Sequence, residues 1–290
     1  MGKAGKRARG FFEVARAALR NFIDDDMSTH ASAMAYQVLF SIFPFVIFLI
    51  ALLGFLRVPQ FFDWLRQHAE MLVPQQAMPQ VNQVIGELQQ QQGGLLSIGV
   101  LLALWTASAA VRAVINALNV AYDVRETRPA WKLYPLSVFY TLGLAVLLIS
   151  AAVLLVVGPQ FMQWLAHQVG LEQLFVTLWA WVRWPAALVL MMLALAILYW
   201  AAPNVSHRFR LITPGAAVAV VVWILASLAF DYYVRSFADY NATYGSLGAI
   251  VVLLLYFFLS AAVLLFGAEI NAVVERHARD DKNVPQETLH

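Results

Sequence analysis

Cysteine is missing from all 290 residues. Its absence excludes disulfide bridges, thiolate nucleophiles and Cys-ligated metal centres together, and says little about compartment because membrane proteins often do without it. Charge is also scarce: Asp, Glu, Lys and Arg make up 12% of the chain, against about 25% in an ordinary soluble domain. The formal net charge of +2 is too small to suggest a nucleic-acid partner. Histidine is present six times, as His30, His68, His167, His207, His277 and His290, without clustering. A metal-dependent nuclease would need grouped His and Asp ligands in a wet site, and no such group is visible. No hydrophilic stretch is long enough to fold as a separate domain. The basic N-terminus, MGKAGKRARGFFEVARAALRNFIDDDM, has no long apolar core followed by a small-residue cleavage site, so a removable signal peptide is not expected.

Apolar sequence fills the chain instead. Hydrophobic residues account for 61% of it, and the mean hydropathy is +0.69. Residues 246–270, SLGAIVVLLLYFFLSAAVLLFGAEI, hold no ionisable side chain before Glu269. At about 1.5 Å per residue such a run crosses the roughly 30 Å hydrocarbon layer of a bilayer. Five further segments resemble it, and the pattern predicts membrane helices over residues 31–56, 95–121, 133–158, 184–202, 213–234 and 246–270. The fourth is the shortest and is expected to enter at Pro185 and stop before Pro203. The fold class is therefore all-α: a polytopic bundle of six transmembrane helices with amphipathic interfacial helices. Residues 1–290 form a single membrane domain on this reading, with an N-terminal segment 1–30, a six-span bundle 31–270 and a tail 271–290.

Lys and Arg orient the spans, since they are retained on the cytoplasmic side. With both termini inside, only Arg57, Arg66, Arg183 and Arg235 lie outside, a split of 15 to 4 over the 19 basic residues. Tryptophans agree, because Trp64, Trp131, Trp164, Trp179, Trp181, Trp184 and Trp200 fall near span ends, where amphipathic rings favour the interface. The expected location is a bacterial inner membrane, with membrane lipids as the immediate partners. Residues 10–23 read as an interfacial helix, with Phe11, Phe12, Ala15, Leu19, Phe22 and Ile23 on one side and Glu13, Arg16 and Arg20 elsewhere. Residues 58–94 and 159–183 read as outer-surface segments, either resting in the interface or covering a cavity.

Polar residues inside the spans recur at helical spacing and so stack on single faces. His30, Gln37, Ser41 and Pro44 share one face of the first span; Ser108, Arg112, Asn116, Asn119 and Asp123 share one of the second. Trp223, Ser227, Asp231 and Arg235 line the fifth, and Ser260, Gly267 and Asn271 the sixth beside Glu269. An ionisable side chain at mid-bilayer costs about 2.5–3.5 kcal/mol on insertion scales, so Arg112, Asp231 and Glu269 need partners, water or an interfacial position. Arg112 is the deepest; it either fixes the bundle through a carboxylate or helix carbonyls, or binds an anionic substrate or headgroup. Asp231 has Arg235 four residues on as its natural partner. In the outer connection FADYNATYGSLG, Asn241, Thr243 and Tyr244 sit in turn-forming sequence that either re-enters the bundle tightly or exposes backbone groups to a ligand. Asp24, Asp25, Asp26 and His30 form the best cytoplasmic acidic cluster, though three aspartates ahead of a helix also complement its dipole. Small residues, Ala109, Ala113, Ala117 and Ala121 on span two and Gly215 with Ala219 on span five, permit close helix packing. Nothing in the pattern points to a cofactor or a bound metal.

Several strings resemble the YihY/virulence factor BrkB family, long labelled ribonuclease BN. They are AYQVLFSIFPF (35–45), LWTASAAVRAVINALNVAYDVRETRPAWK (104–132), the Pro-Gly pair at 214–215 and SFADYNATYGSLGAIVVLLLYFFLSAAVLLFGAEIN (236–271), in order along almost the whole chain. The chain departs from the family pattern at Arg112, where a smaller residue is usual. The resemblance implies an inner-membrane protein of six spans, for whose relatives serum resistance, export of small molecules and movement of lipids have been proposed. Residues and resemblance together favour a transporter or lipid flippase carrying an amphipathic or anionic molecule past His30, Gln37, Ser41, Ser108, Arg112, Asn116, Asn119, Ser227, Asp231, Asn241, Thr243, Tyr244, Ser260 and Glu269. A non-catalytic scaffold of the cell envelope is the alternative, and ribonuclease activity is not expected.

Overall fold

The computed structural model describes residues 3–55, 78–79, 82–83, 86, 93–156, 172–205, 210–236 and 246–283. Seven long helices run through them: α1 Lys3–Asp24, α2 Met27–Phe55, α3 Gly93–Ala121, α4 Ala130–Val156, α5 Glu172–Ala201, α6 Pro214–Ser236 and α7 Ser246–Asn283. The described residues contain no strand. Stretches of α3, α4, α5, α6 and α7 are each long and apolar enough to cross a membrane, five helices among the described residues. The expected first span lies on α2, itself 29 residues long.

Two boundaries differ from the sequence reading. Helix α5 begins at Glu172 and holds Pro185 in its interior, as α2 holds Pro44 and α4 holds Pro135. Proline lacks the N–H that would bond the carbonyl four residues back. Membrane helices tolerate the gap because neighbouring groups re-satisfy the freed backbone, so proline is a weaker stop signal here than in water. Helix α7 runs on through the expected tail to Asn283, 38 residues in all, because AVVERHARDDKN lacks any glycine or proline to end it.

The chain divides into two compact units, residues 1–36 with 111–290, and residues 37–110. In the larger unit the core gathers Met27, Ala31 and Met34 of α2, Ile115 and Leu118 of α3, Leu198 and Tyr199 of α5, Ala216 of α6, and Leu265 and Ala268 of α7. These come from the start of α2, the end of α3, the end of α5, the start of α6 and the second half of α7, so the core occupies one end of the bundle. Away from it, side chains such as Phe139, Leu148, Leu228 and Val251 are exposed, as lipid-facing positions require.

Helix α1 packs along α7. Ala18 is buried against Ile270 and Val273, with Val14, Ala17 and Phe266 around them, and the Phe22 ring meets Phe266 edge-on at 6.3 Å. Phe22 therefore faces α7, which corrects its grouping with Phe12, Leu19 and Ile23; those three are exposed on the opposite side. The α1–α2 turn is closed by Asp26, whose φ of 48° is one of two positive values outside glycine among the described residues. Its carboxylate accepts from the Ser28 hydroxyl at 3.2 Å. The Thr29 side chain chiefly holds that carboxyl below its usual range, with burial opposing it and Ser28 adding to it.

The tightest contact joins α6 and α7. Thr213 caps α6, accepting from Ala216 N–H at 3.1 Å, and Pro214 fills the first helical position, where no donor is needed. The Gly215 N–H remains an orphan of the helix start, and the Asn271 side-chain oxygen of α7 accepts from it at 2.8 Å. A Cβ on Gly215 would collide with the Gly267 carbonyl and come within 2.7 Å of the Asn271 side chain. A Cβ on Gly267 would lie 2.5 Å from the Tyr199 hydroxyl and 2.8 Å from both Ala219 Cβ and the Gly215 carbonyl. Tyr199 crosses this junction from α5, its hydroxyl donating to Leu264 O at 2.7 Å. Gly215→Ala and Gly267→Ala should each lower stability in detergent by about 1–3 kcal/mol, the usual cost of overpacking. Gly143→Ala on α4, with nothing within 4 Å of the added carbon, should leave the melting temperature unchanged or slightly raised, and equal behaviour of all three would contradict the packing.

Candidate functional site

Four polar groupings occupy the larger unit, and each is built from residues that the apolar pattern leaves unexplained. Arg112 is the deepest, nine residues before the end of α3 and thus about 13 Å along the helix from its terminus. Its guanidinium reaches across to α4, where it donates to the Ser137 hydroxyl at 3.1 Å and lies 4.4 Å over the Tyr134 ring. Ser137 is fully buried and is fixed in turn by donating to Tyr134 O at 2.7 Å. The hydroxyl and the ring orient the cation.

The second grouping knots the α3–α4 connection to the end of α5. Helix α3 ends in paired turns, Asp123 N–H to Val120 O at 2.9 Å and Val124 N–H to Asn119 O at 2.9 Å, with Asp123 at φ 54° in the left-handed position usually given to glycine. The chain thus turns Glu126 back towards Asn119. Arg128 grips Glu126 with Nε to Oε1 at 2.8 Å and a terminal nitrogen to Oε2 at 2.7 Å, its backbone N–H adding a third bond at 2.9 Å. Asn119 donates to Glu126 Oε2 at 2.9 Å and accepts from Asn204 N–H at 2.7 Å. Arg128 also donates to Ala202 O at 2.8 Å, while the Tyr140 hydroxyl caps Ala201 O at 2.7 Å, so two carbonyls at the end of α5 are satisfied. The Arg128 hydrogen bonds are the main reason the Glu126 carboxyl is held down to about 2; its backbone N–H and Asn119 add to this, and partial burial opposes it.

The third grouping is the α6–α7 seam. Trp223 donates its indole N–H to the Ser260 hydroxyl at 3.1 Å, and the Ser227 and Tyr256 hydroxyls lie 3.3 Å apart. Asp231 accepts from Arg235 at 3.0 Å, one turn on, with both side chains exposed.

The fourth surrounds Glu269, whose carboxyl is fully buried. Neither of its oxygens has a hydrogen-bond partner among the described residues, and the Asn271 side-chain nitrogen is likewise buried without one. Tyr122 stands nearby at the end of α3; burial, then Glu275 and Glu269, push its phenol up, with the Asn271 side chain acting the other way. Arg276 donates to Ala121 O at 3.0 Å and so caps α3.

Of the residues singled out in the sequence, Arg112, Asn119, Ser227, Asp231, Ser260 and Glu269 take part in these groupings, at separate contacts. His30 is half-buried and Asn116 exposed. Gln37, Ser41 and Ser108 belong to the smaller unit. There Ser41 donates to Val38 O at 2.7 Å and Ser108, fully buried, to Trp105 O at 2.8 Å. Asn241, Thr243 and Tyr244 lie outside the described residues, as do most of the outer segments 58–94 and 159–183. The sequence reading passed over Glu126, Arg128, Ser137 and Asn204. The acid two residues before an arginine, in a connection between apolar runs, was the available signal for the first two; nothing marked Ser137 or Asn204. Among the described residues, no three His, Asp or Glu side chains are grouped so as to hold a metal ion.

Comparison with known proteins gives a family match over nearly the whole chain. The family model described as virulence factor BrkB covers residues 18–289. A ribonuclease-like protein of Bacillus subtilis, YfkH, is 36% identical over 258 residues, which is 89% of this chain and 92% of that protein. A UPF0761 membrane protein of Chromohalobacter salexigens is 30% identical over 264 residues, 89% of this chain and 62% of that protein. Another from Paraburkholderia xenovorans is 27% identical over 260 residues, 89% of this chain and 58% of that protein. The chain thus spans about three-fifths of these two relatives. No solved structure matches it.

The polar knot makes a pH-dependent prediction. Because the folded Glu126 carboxyl titrates at about 2 rather than near 4.5, its stabilisation is complete above the unfolded value and is lost as pH falls towards about 2. Glu126→Gln should cost about 1.5–3 kcal/mol at neutral pH, the scale of a charge-assisted hydrogen bond. Thermal unfolding of both proteins in detergent should show the gap narrowing below the unfolded value; a gap independent of pH would remove the ion pair from the account.

Proposed function

The chain belongs to the virulence factor BrkB family of membrane proteins, and from that premise we propose that it moves an anionic amphiphile across the bacterial inner membrane. The observation that carries this reading is Arg112, a guanidinium far from its helix end and oriented by the Ser137 hydroxyl and the Tyr134 ring. A cation within an apolar span is costly, and intramembrane charges of this kind commonly mark substrate paths. A guanidinium is suited to pair with a phosphate or carboxylate head, while the apolar flanks of α3 and α4 suit an acyl or aromatic body. Both termini lie in the cytoplasm on this proposal, supported by the 15 to 4 split of basic residues. The ribonuclease-like name belongs to the Bacillus relative, and we propose no catalytic step for this chain.

A scaffold of the cell envelope is the second reading, and the α6–α7 seam favours it. Trp223, Ser227, Tyr256 and Ser260 satisfy one another, so that polar face serves packing and leaves nothing over for a cargo.

Proteoliposomes containing fluorescently labelled phosphatidylglycerol distinguish the two. The protein should accelerate loss of inner-leaflet protection, and Arg112→Ala should reduce that rate about 10–100-fold. That range converts the 1.5–3 kcal/mol of a charge-assisted contact at about 1.4 kcal/mol per tenfold. Arg112→Lys should retain part of the rate. Equal rates for wild type and Arg112→Ala, with both proteins folded, would refute the role given to the arginine. No acceleration over protein-free vesicles would favour the scaffold.

A further inference from the structure

We infer that Glu269 is a proton-exchange site, and that α1 rests on α7 only while the Glu269 carboxyl is protonated. The geometry behind this is a carboxyl group sealed under a removable helix. Glu269 has no exposed surface, and both its oxygens lack a hydrogen-bond partner among the described residues. An ionised carboxylate left in that state costs several kcal/mol, whereas the neutral acid costs far less.

The groups facing it come from three elements. From α1 and the turn that follows it, Asn21 and Asp25 face the carboxyl, and Asp25 brings a second negative charge to the same place. From α7 itself, Arg276 lies two turns on and attracts the carboxylate, yet its guanidinium is already engaged with Ala121 O at 3.0 Å. From the end of α3 comes Tyr122, which senses both Glu269 and Glu275. His277 is the next residue along α7 after Arg276, its Nδ1 2.8 Å from Val273 O. Among the described residues, Asp25 sets a like charge beside Glu269, so ionisation at Glu269 sets the end of α1 and α7 against each other.

Helix α1 is the element able to yield. It joins the rest through the short turn at Asp25 and Asp26, and it is held on α7 by Val14, Ala17 and Ala18 and by one large ring, Phe22. Lifting it admits water to the carboxylate and separates Asp25 from Glu269. The sign follows: the docked form is favoured at low pH and is lost as pH rises. This is independent of whether any solute crosses the membrane.

Because the chain has no cysteine, introduced thiols label cleanly. Glu13→Cys on α1 and Ala278→Cys on α7, both exposed, place a spin-label pair across the junction in full-length protein in nanodiscs. Between ~pH 5 and ~pH 9, a span that covers documented buried glutamates, the pair should shift from one short distance to a growing long-distance population. Glu269→Gln should hold the short distance throughout. Asp25→Asn, by removing the like charge, should need about one pH unit more for the same separation. An unchanging wild-type distance would overturn the proposal. So would a transition that survives Glu269→Gln, which would then belong to His277 or another group. If Glu269→Gln does not fold, an Asp25→Asn transition at the wild-type pH overturns it equally.

Discussion

Close approach of two helix backbones at Gly215 and Gly267 is the constraint around which the larger unit is organised. Lipid supplies no hydrophobic drive between helices, so association depends on packing and on hydrogen bonds that close between them. Here both are met at one point. The glycines let α6 and α7 touch, and the contact brings the Asn271 oxygen to the one N–H at the start of α6 that capping by Thr213 and Pro214 leaves unmet. Tyr199 then wedges against the same junction from α5. A larger residue at either glycine would separate all three helices at once.

Many polar groups elsewhere in the unit are settled by a neighbour close at hand. Serines turn back onto their own helix carbonyls, Trp223 finds Ser260, and Arg128 draws in Glu126 and the carbonyl end of α5. An unmade hydrogen bond in a dry interior costs more than a made one gains, so such pairing is the default outcome. Arg112 and Glu269 are the two ionisable groups set deepest: the arginine meets the Ser137 hydroxyl and the Tyr134 ring, and both oxygens of the glutamate are buried without a hydrogen-bond partner among the described residues.

Much of the architecture could be read from hydropathy, because a backbone in lipid has few ways to satisfy itself and a long apolar run becomes a helix almost regardless of detail. The expected spans over 95–121, 133–158 and 213–234 fall within a few residues of α3, α4 and α6. Proline misled at Pro185, since the punctuation rules of water-soluble helices weaken in a membrane. Periodicity placed Arg112, Asn119, Ser227 and Ser260 on stripes but could not say which neighbour each stripe would meet. Ser137 is the clearest case: a lone serine in an apolar helix carries no signal until α4 is laid beside α3. Phe22 shows the complementary limit. Its hydrophobicity was plain, yet whether it met lipid or α7 depended on a helix more than two hundred residues away.

The length of α7 has a mechanical consequence. Its 38 residues extend about 57 Å at the usual rise, nearly twice the roughly 30 Å hydrocarbon layer, with the Gly215–Gly267 contact near its middle. Unbroken by proline or by any glycine beyond that contact, the helix is a stiff rod pinned at a fulcrum. A small tilt of its lipid-embedded arm is therefore delivered, reversed in direction, to the arm against which α1 lies.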